Sequence, residues 1–382
     1  MSRPATLKKG SAMKGLVLGV VVLAALFSSS IVTEDAWGAI LYNVTDLGTL
    51  GGTSASAHGI NNDGHVVGVG GTGDGGPRAF LYNEGTMLNL GTLGGTYSEA
   101  RSVNNSGQVV GYSTAANGSD RAFLYSSGTM QDLGTLGGTS SRAFSINASA
   151  QIVGYSDTGT EGHAFLYTAG SMQDLGTLGG ISSRAYGVND FGQVVGESST
   201  VSYDPRAFLC SNGSMQDLGT INGQHSIARA INNSGQVVGS SETSGGQYWH
   251  AFLYEGGSMQ DLGTLGGSTS HAYDINSHGQ VVGQANTSGN AGTHAFLYSG
   301  SVMWDLQDMI DPASGWRLTE ARGINDNRWI VGKGMHDGQS RAFLLIPVPE
   351  PSTFALLAAG TLALVACTWR RRKPHCRHPA MR

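Results

Sequence analysis

The chain has 382 residues, 40% hydrophobic and only 13% charged, with 59 glycines and a formal net charge of −5. Ten of its 22 basic residues lie before position 15 or after position 369, so the stretch 36–349 carries 12 basic against 24 acidic residues, with Lys333 as its one lysine. That balance excludes nucleic acid and anionic lipid as expected partners of the middle of the chain, and a single cysteine there, Cys210, excludes a disulfide framework.

Residues 1–39 open with Arg3, Lys8, Lys9 and Lys14, followed by the apolar run GLVLGVVVLAALF at 15–27 and by Ala36 and Gly38 in the small-residue places of a cleavage site. The run is short for a membrane span, so the segment is expected to be a signal peptide removed by signal peptidase near Gly38 or Ala39.

From there one pattern recurs. Asp/Asn-Leu pairs begin at Asp46, Asn89, Asp132, Asp174, Asp217, Asp261 and Asp305, a spacing of 42 to 44 residues. Each period holds four β-prone stretches punctuated by turn residues, as in S-R-A-F-S-I-N, Q-I-V-G-Y-S, H-A-F-L-Y and M-Q-D-L-G-T-L of the copy at 132–174. Four short antiparallel strands per unit of this length make one propeller blade. The continuous apolar runs A-F-L-Y and Q-V-V-G suit sheets covered on both faces, as stacked blades are. The expected fold is therefore all-β, a seven-bladed β-propeller over 40–347, with a β-solenoid of repeats as the alternative. Closure is legible at the ends. The stretch 41–50 reads as the fourth strand of a unit, and the last unit stops after its third strand at 341–345, so the N-terminal strand should complete the last blade. In that last unit L-Q-D-M-I-D-P-A-S-G-W replaces G-T-L-G-G and should form a short helical or irregular lid.

Within the units, N-N-D-G at 61–64 and N-N-S-G at 104–107 and 232–235 read as turns in which Asn bonds its own backbone and Gly tolerates left-handed geometry. A cation or imidazole precedes each A-F-L (Arg78, Arg121, His163, Arg206, His250, His294, Arg341) and is expected to pair with the Asp or Asn about eleven residues on. Recurrence in every copy points to structure, since an active site breaks symmetry. The His/Arg exchange argues against a metal, which Arg does not ligate. Cys210 stands where most copies have Tyr and is expected to be a packed core thiol. No nucleotide, zinc, calcium or nucleophile motif stands out, so no cofactor is expected.

The copies differ in the loops between their second and third strands. Those loops share one face with the connections between units, where binding residues sit on a rigid scaffold. Tyr203, Asp204, Gln247, Tyr248 and Trp249 are the ligand-binding candidates, with a neutral exopolysaccharide as the expected partner because aromatic faces suit the C–H surface of sugar rings. No catalytic residue is assigned. The rival reading, a polysaccharide hydrolase or lyase, would need converging carboxylates, for which Asp204, Glu242 and Asp337 are the candidates.

The tail, 348–382, contains V-P-E-P-S, an apolar run at 354–369 expected to enter the membrane, and a basic cluster expected to stay cytoplasmic. Pro349, Glu350 and Pro351 followed by the span and Arg370, Arg371 and Arg372 closely resemble the PEP-CTERM sorting signal. The resemblance implies processing by an exosortase, export from a Gram-negative bacterium through an inner-membrane intermediate, and a final place at the cell surface or outside it. Over about 300 residues the repeat also resembles the extracellular HAF-repeat family, named for the H-A-F seen at His163, His250 and His294. That likeness implies a propeller and an extracellular setting and little chemistry. The reading of the whole is a surface or matrix module for binding or structure.

Overall fold

A computed structural model describes residues 42–348. The expected signal peptide at 1–39, the sorting residues Pro349–Pro351 and Arg370–Arg372, and the expected span at 354–369 lie outside the described residues. Among the described residues no helix is long and apolar enough to cross a membrane.

Seven four-stranded antiparallel sheets make a β-propeller. In blade one the strands, A to D from the centre outward, are Gly51–Ile60, Val66–Thr72, Pro77–Asn83 and Thr86–Asn89. Blade seven consists of Trp316–Ile324, Ile330–His336 and Gln339–Pro347, and its D strand is the N-terminal segment Tyr42–Asp46. That segment pairs with the C strand from Tyr42 opposite Pro347 to Asp46 opposite Phe343, which closes the ring as the ends of the sequence imply.

The blades interlock through one phenylalanine each. Phe80, Phe123, Phe165, Phe208, Phe252, Phe296 and Phe343 are fully buried. Phe123 of blade two packs with Val67 and Ala79 of blade one, and Phe252 of blade five packs with Val195 and Ala207 of blade four. These are the apolar runs of the B and C strands, buried because each sheet is sandwiched between two others. Cys210 is buried in the core between blades three and four, where burial pushes its thiol up and leaves it unreactive. The Gly of each Q-V-V-G motif lies against a β-bulge in strand A. A Cβ on Gly239 would stand 1.9 Å from the Ile227 carbonyl oxygen, and one on Gly111 1.9 Å from that of Glu99.

The D-L-G-T-L-G-G motif differs from its expected place as the end of the fourth strand. Strand D stops at the Asp or Asn, whose side chain accepts the N–H of the glycine two residues on, as Asp132 does from Gly134 at 2.8 Å. The Thr hydroxyl then bonds the carbonyl three residues on, Thr135 to Gly138 at 2.9 Å. The motif is a pair of side-chain-closed turns carrying the chain inward to the next blade. In the last unit two 3₁₀ turns, Leu306–Met309 and Pro312–Ser314, replace it.

The Asn at the A–B turn does more than close its own turn. Asn232 Oδ1 accepts the N–H groups of Ser234 and Gln236, while its Nδ2 donates to the Asn276 carbonyl of the next blade at 3.0 Å. Asn61, Asn104, Asn147, Asn189, Asn276 and Asn325 repeat this bond, and Asn325 reaches back to the Asn61 carbonyl at 3.0 Å. A closed belt of seven side-chain amides thus encircles one end of the ring.

Candidate functional site

Two regions carry chemistry. The first lies on the B–C loops of blades four and five. Strand B of blade four, Val194–Thr200, turns at Tyr203, whose N–H bonds the Thr200 carbonyl. Sister loops put Gly75, Gly118 and Gly246 at the equivalent bond, yet Tyr203 holds φ 67° there and is 68% exposed. A bulky residue in left-handed geometry costs on the order of 1 kcal/mol, with no packing in return. Asp204 follows and faces the Nε2 of His225 at 3.6 Å, and the Nδ1 of His225 meets Glu242 at 2.6 Å. Burial pushes the Glu242 carboxyl up. Its bonds from His225 and from the backbone N–H groups of Gln224 and His225 outweigh that and hold it below the usual carboxylate range. Glu242 is thereby an ionised anchor and a poor proton donor.

Glu242 is the strand neighbour of Trp249, whose ring lies 6.4 Å from that of His271 in blade six. Trp249 is half-buried, whereas Gln247 and Tyr248 are exposed on the loop before it. The structure thus links Asp204 to the Trp249 side through His225 and Glu242, with Tyr203 and Tyr248 exposed on the two loops. The sequence carries no separate signal for His225 or His271, whose places in the repeat are filled by other residues in the sister copies.

The residues before A-F-L behave in two ways. His163, His250 and His294 bond Asp174, Asp261 and Asp305 at 2.8, 2.8 and 2.6 Å, as expected from the eleven-residue spacing. The arginines depart from it. Arg78 donates to the Thr96 and Pro77 carbonyls, Arg121 and Arg206 have buried Nε atoms with no hydrogen-bond partner among the described residues, and Arg341 makes only a long ion pair with Asp46, at 3.9 Å. A guanidinium is longer than an imidazole and overshoots the neighbouring strand.

The second region is the central cavity, about 970 Å³, walled by the A strands and opening toward the A–B turns. Arg101, Arg142, Arg184, Arg229 and Arg322 line it together with Phe144, Tyr155, Tyr186 and Tyr273. This is five of the 12 basic residues of the stretch 36–349. The guanidinium of Arg142 lies over Tyr112, Arg184 over Tyr155, Arg229 over Tyr186 and Arg322 over Tyr273, at 4.4 to 5.3 Å. Such stacking favours Arg over Lys at these places. Burial, with Arg101 beside it, holds His58 down at about 3, so its 3.3 Å approach to Glu99 is no ion pair. Its Nδ1 lies 3.1 Å from the Ala100 carbonyl and donates to it in that tautomer.

Asp274, also on the cavity wall, is pushed up by burial to about 7, against the pull of the N–H groups it accepts from Ile324 and Ile275. A carboxyl raised in the fold stabilises it fully below the unfolded value near 4, and that stability is lost as pH rises through about 7. Asp274→Asn should therefore gain stability relative to the parent between pH 4 and pH 8, by up to roughly 4 kcal/mol. Urea unfolding of both proteins across that range is the check, and parallel curves would contradict a protonated Asp274.

The fold and the C-terminal sorting motif together define an exported β-propeller. A PEP-CTERM protein-sorting motif matches residues 347–372, which marks an exosortase-processed protein destined for the cell surface or the extracellular space. A protein of unknown function domain, DUF3466, matches residues 182–344. No curated protein matches the chain.

Among solved structures, a puromycin-hydrolyzing peptidase of Mycobacterium tuberculosis is 13% identical with a TM-score of 0.53, covering 78% of this chain and 51% of its own. An acylaminoacyl peptidase of Pyrococcus horikoshii is 10% identical with a TM-score of 0.50, covering 80% and 54%. TolB of Acinetobacter baumannii is 13% identical with a TM-score of 0.42, covering 73% and 78%. The chain spans about half the length of each peptidase, and likeness at this identity concerns the fold alone.

Proposed function

We propose that this protein is a binding module of the HAF-repeat kind, exported from a Gram-negative cell, that holds a neutral or weakly charged exopolysaccharide on the B–C loop face. Signal peptidase trims its start, and an exosortase acts on its tail after an inner-membrane stage. The observation that carries the reading is Tyr203, an exposed aromatic kept in left-handed backbone where sister loops use glycine. Its ring, with those of Tyr248 and Trp249, offers flat apolar surface to a pyranose. Asp204 and Gln247 supply hydrogen bonds at the rim, and the Asp204–His225–Glu242 chain stiffens the patch across two blades.

Retention of the purified protein on immobilised neutral glycans should be lost, by about tenfold in affinity or more, when Tyr203 and Trp249 are both changed to Ala, with the fold retained by circular dichroism. Undiminished retention of that variant would place the ligand on another surface.

A further inference from the structure

Three cavity arginines, Arg101, Arg229 and Arg322, occupy the same place in the repeat, the residue after the strand A alanine, at the bulge. Two residues earlier, blades two and seven supply Glu99 and Glu320, which pair with Arg101 at 2.8 Å and Arg322 at 2.6 Å. Blade five has Ile227 there. The cross-strand place from which Glu197 reaches Arg184 is Ser240 in blade five. The remaining cavity arginine, Arg142, is paired with Asp120 at 2.5 Å. Arg229 is thus the one lining arginine without a carboxylate partner among the described residues.

Among the described residues the carboxylates around it are held by other groups, Glu197 by Arg184 and Tyr186. The guanidinium lies 4.4 Å from the centre of the Tyr186 ring, and the Tyr186 hydroxyl is tied to Glu197 at 2.8 Å. His271, nearby, is held low by burial and by Arg229 itself, hence neutral. The acidic residues of the wall are engaged elsewhere. Asp190 accepts from Ala148 and Asn233, Asp326 from Ser277 and Asn62, and Asp274 from Ile275 and Ile324.

A part-enclosed guanidinium stacked on an aromatic ring keeps its planar fork of N–H donors open at the edge, which is the geometry that receives a carboxylate in two parallel hydrogen bonds. Tyr186 and Tyr273 line the same wall and offer ring faces to the C–H surface of a sugar. We infer that the central cavity binds a carboxylate-bearing saccharide, a uronic-acid residue, with Arg229 as the carboxylate ligand. This site is independent of the loop face and is reached through the cavity.

The test is calorimetric titration of the purified full-length protein in detergent with trigalacturonate, with cellotriose and acetate as comparison probes. Trigalacturonate should bind saturably and more weakly as salt is raised, and cellotriose and acetate at least about tenfold more weakly. Arg229→Gln should weaken trigalacturonate about tenfold or more. Ile227→Glu, which gives blade five the carboxylate its sisters carry, should do the same with Arg229 still present. The Tyr203/Trp249 double variant should leave this binding unchanged, so failure of the loop-face reading and failure of the cavity site are separable. No binding by the parent, or undiminished binding by both cavity variants, would overturn the site. Acetate matching trigalacturonate would overturn the saccharide class.

Discussion

Removal of residues 42–46 should lower the melting temperature by about 10 °C or drive the protein into aggregates. The deleted strand is hydrogen-bonded to Gln339–Pro347 along its whole length and buries Tyr42, which is 3% exposed. At about 1 kcal/mol net per backbone hydrogen bond and roughly 2 kcal/mol for the Tyr side chain, the loss is near 5 kcal/mol. In a domain of this size each kcal/mol moves the midpoint by about 1.5–2 °C. The deletion also strips Asp46 from His336 and Arg341 and leaves Gln339–Pro347 as an apolar edge open to other chains. Calorimetry with light scattering reads both effects, and an unchanged melting curve without aggregation would mean that the ring is not held by this strand.

Gly239→Ala should be as damaging while adding only one methyl group. The new Cβ would stand 1.9 Å from the Ile227 carbonyl oxygen and 2.9 Å from the Ala228 Cα, both backbone atoms at the bulge, so no side-chain rotation relieves the clash. A cost of about 4 kcal/mol or more is expected, the range reserved for backbone displacement in a packed core. Gly235→Ala is the matched comparison. That glycine has φ +79° with nothing within 4 Å of a Cβ, so only the left-handed backbone is penalised, by about 1–2 kcal/mol. Equal denaturation midpoints for the two variants would contradict the close approach.

Much of the architecture is legible in the chain because period and strand punctuation are local properties. Seven copies, the missing fourth strand after Leu345 and the spare one at 41–50 together determine the ring closure. The turn role of D-L-G-T-L-G-G is less visible, since its leucines read as strand while its Asp, Gly and Thr bonds decide the path. The belt of asparagines is hidden for a related reason. An Asn-Gly turn looks self-sufficient, and only the stacking of blades brings the free amide to the neighbouring carbonyl.

The cavity lining was the least legible. Arg101, Arg229 and Arg322 share one place in the repeat and Arg142 and Arg184 another, so no single column of the repeat shows the cluster. An average charge of one basic to two acidic residues over 36–349 conceals that the arginines gather inside. The loop-face residues are readable as variable, though Asp204 and Trp249 are half-buried. What joins them, His225 between Asp204 and Glu242, depends on one blade lying against the next.

The way the chain ends has a mechanical consequence. The sorting motif starts at residue 347, where Gln339–Pro347 finishes, so a pull on the C-terminal end enters the propeller directly along that strand. Strand Ile330–His336 grips it on one side and Tyr42–Asp46 on the other, both antiparallel to it. Tension along the strand axis loads these two rows of hydrogen bonds together in shear, where all must yield at once, and does not peel them one by one. A propeller tethered by this end and dragged by a polymer would resist extraction best at the blade that was sealed last.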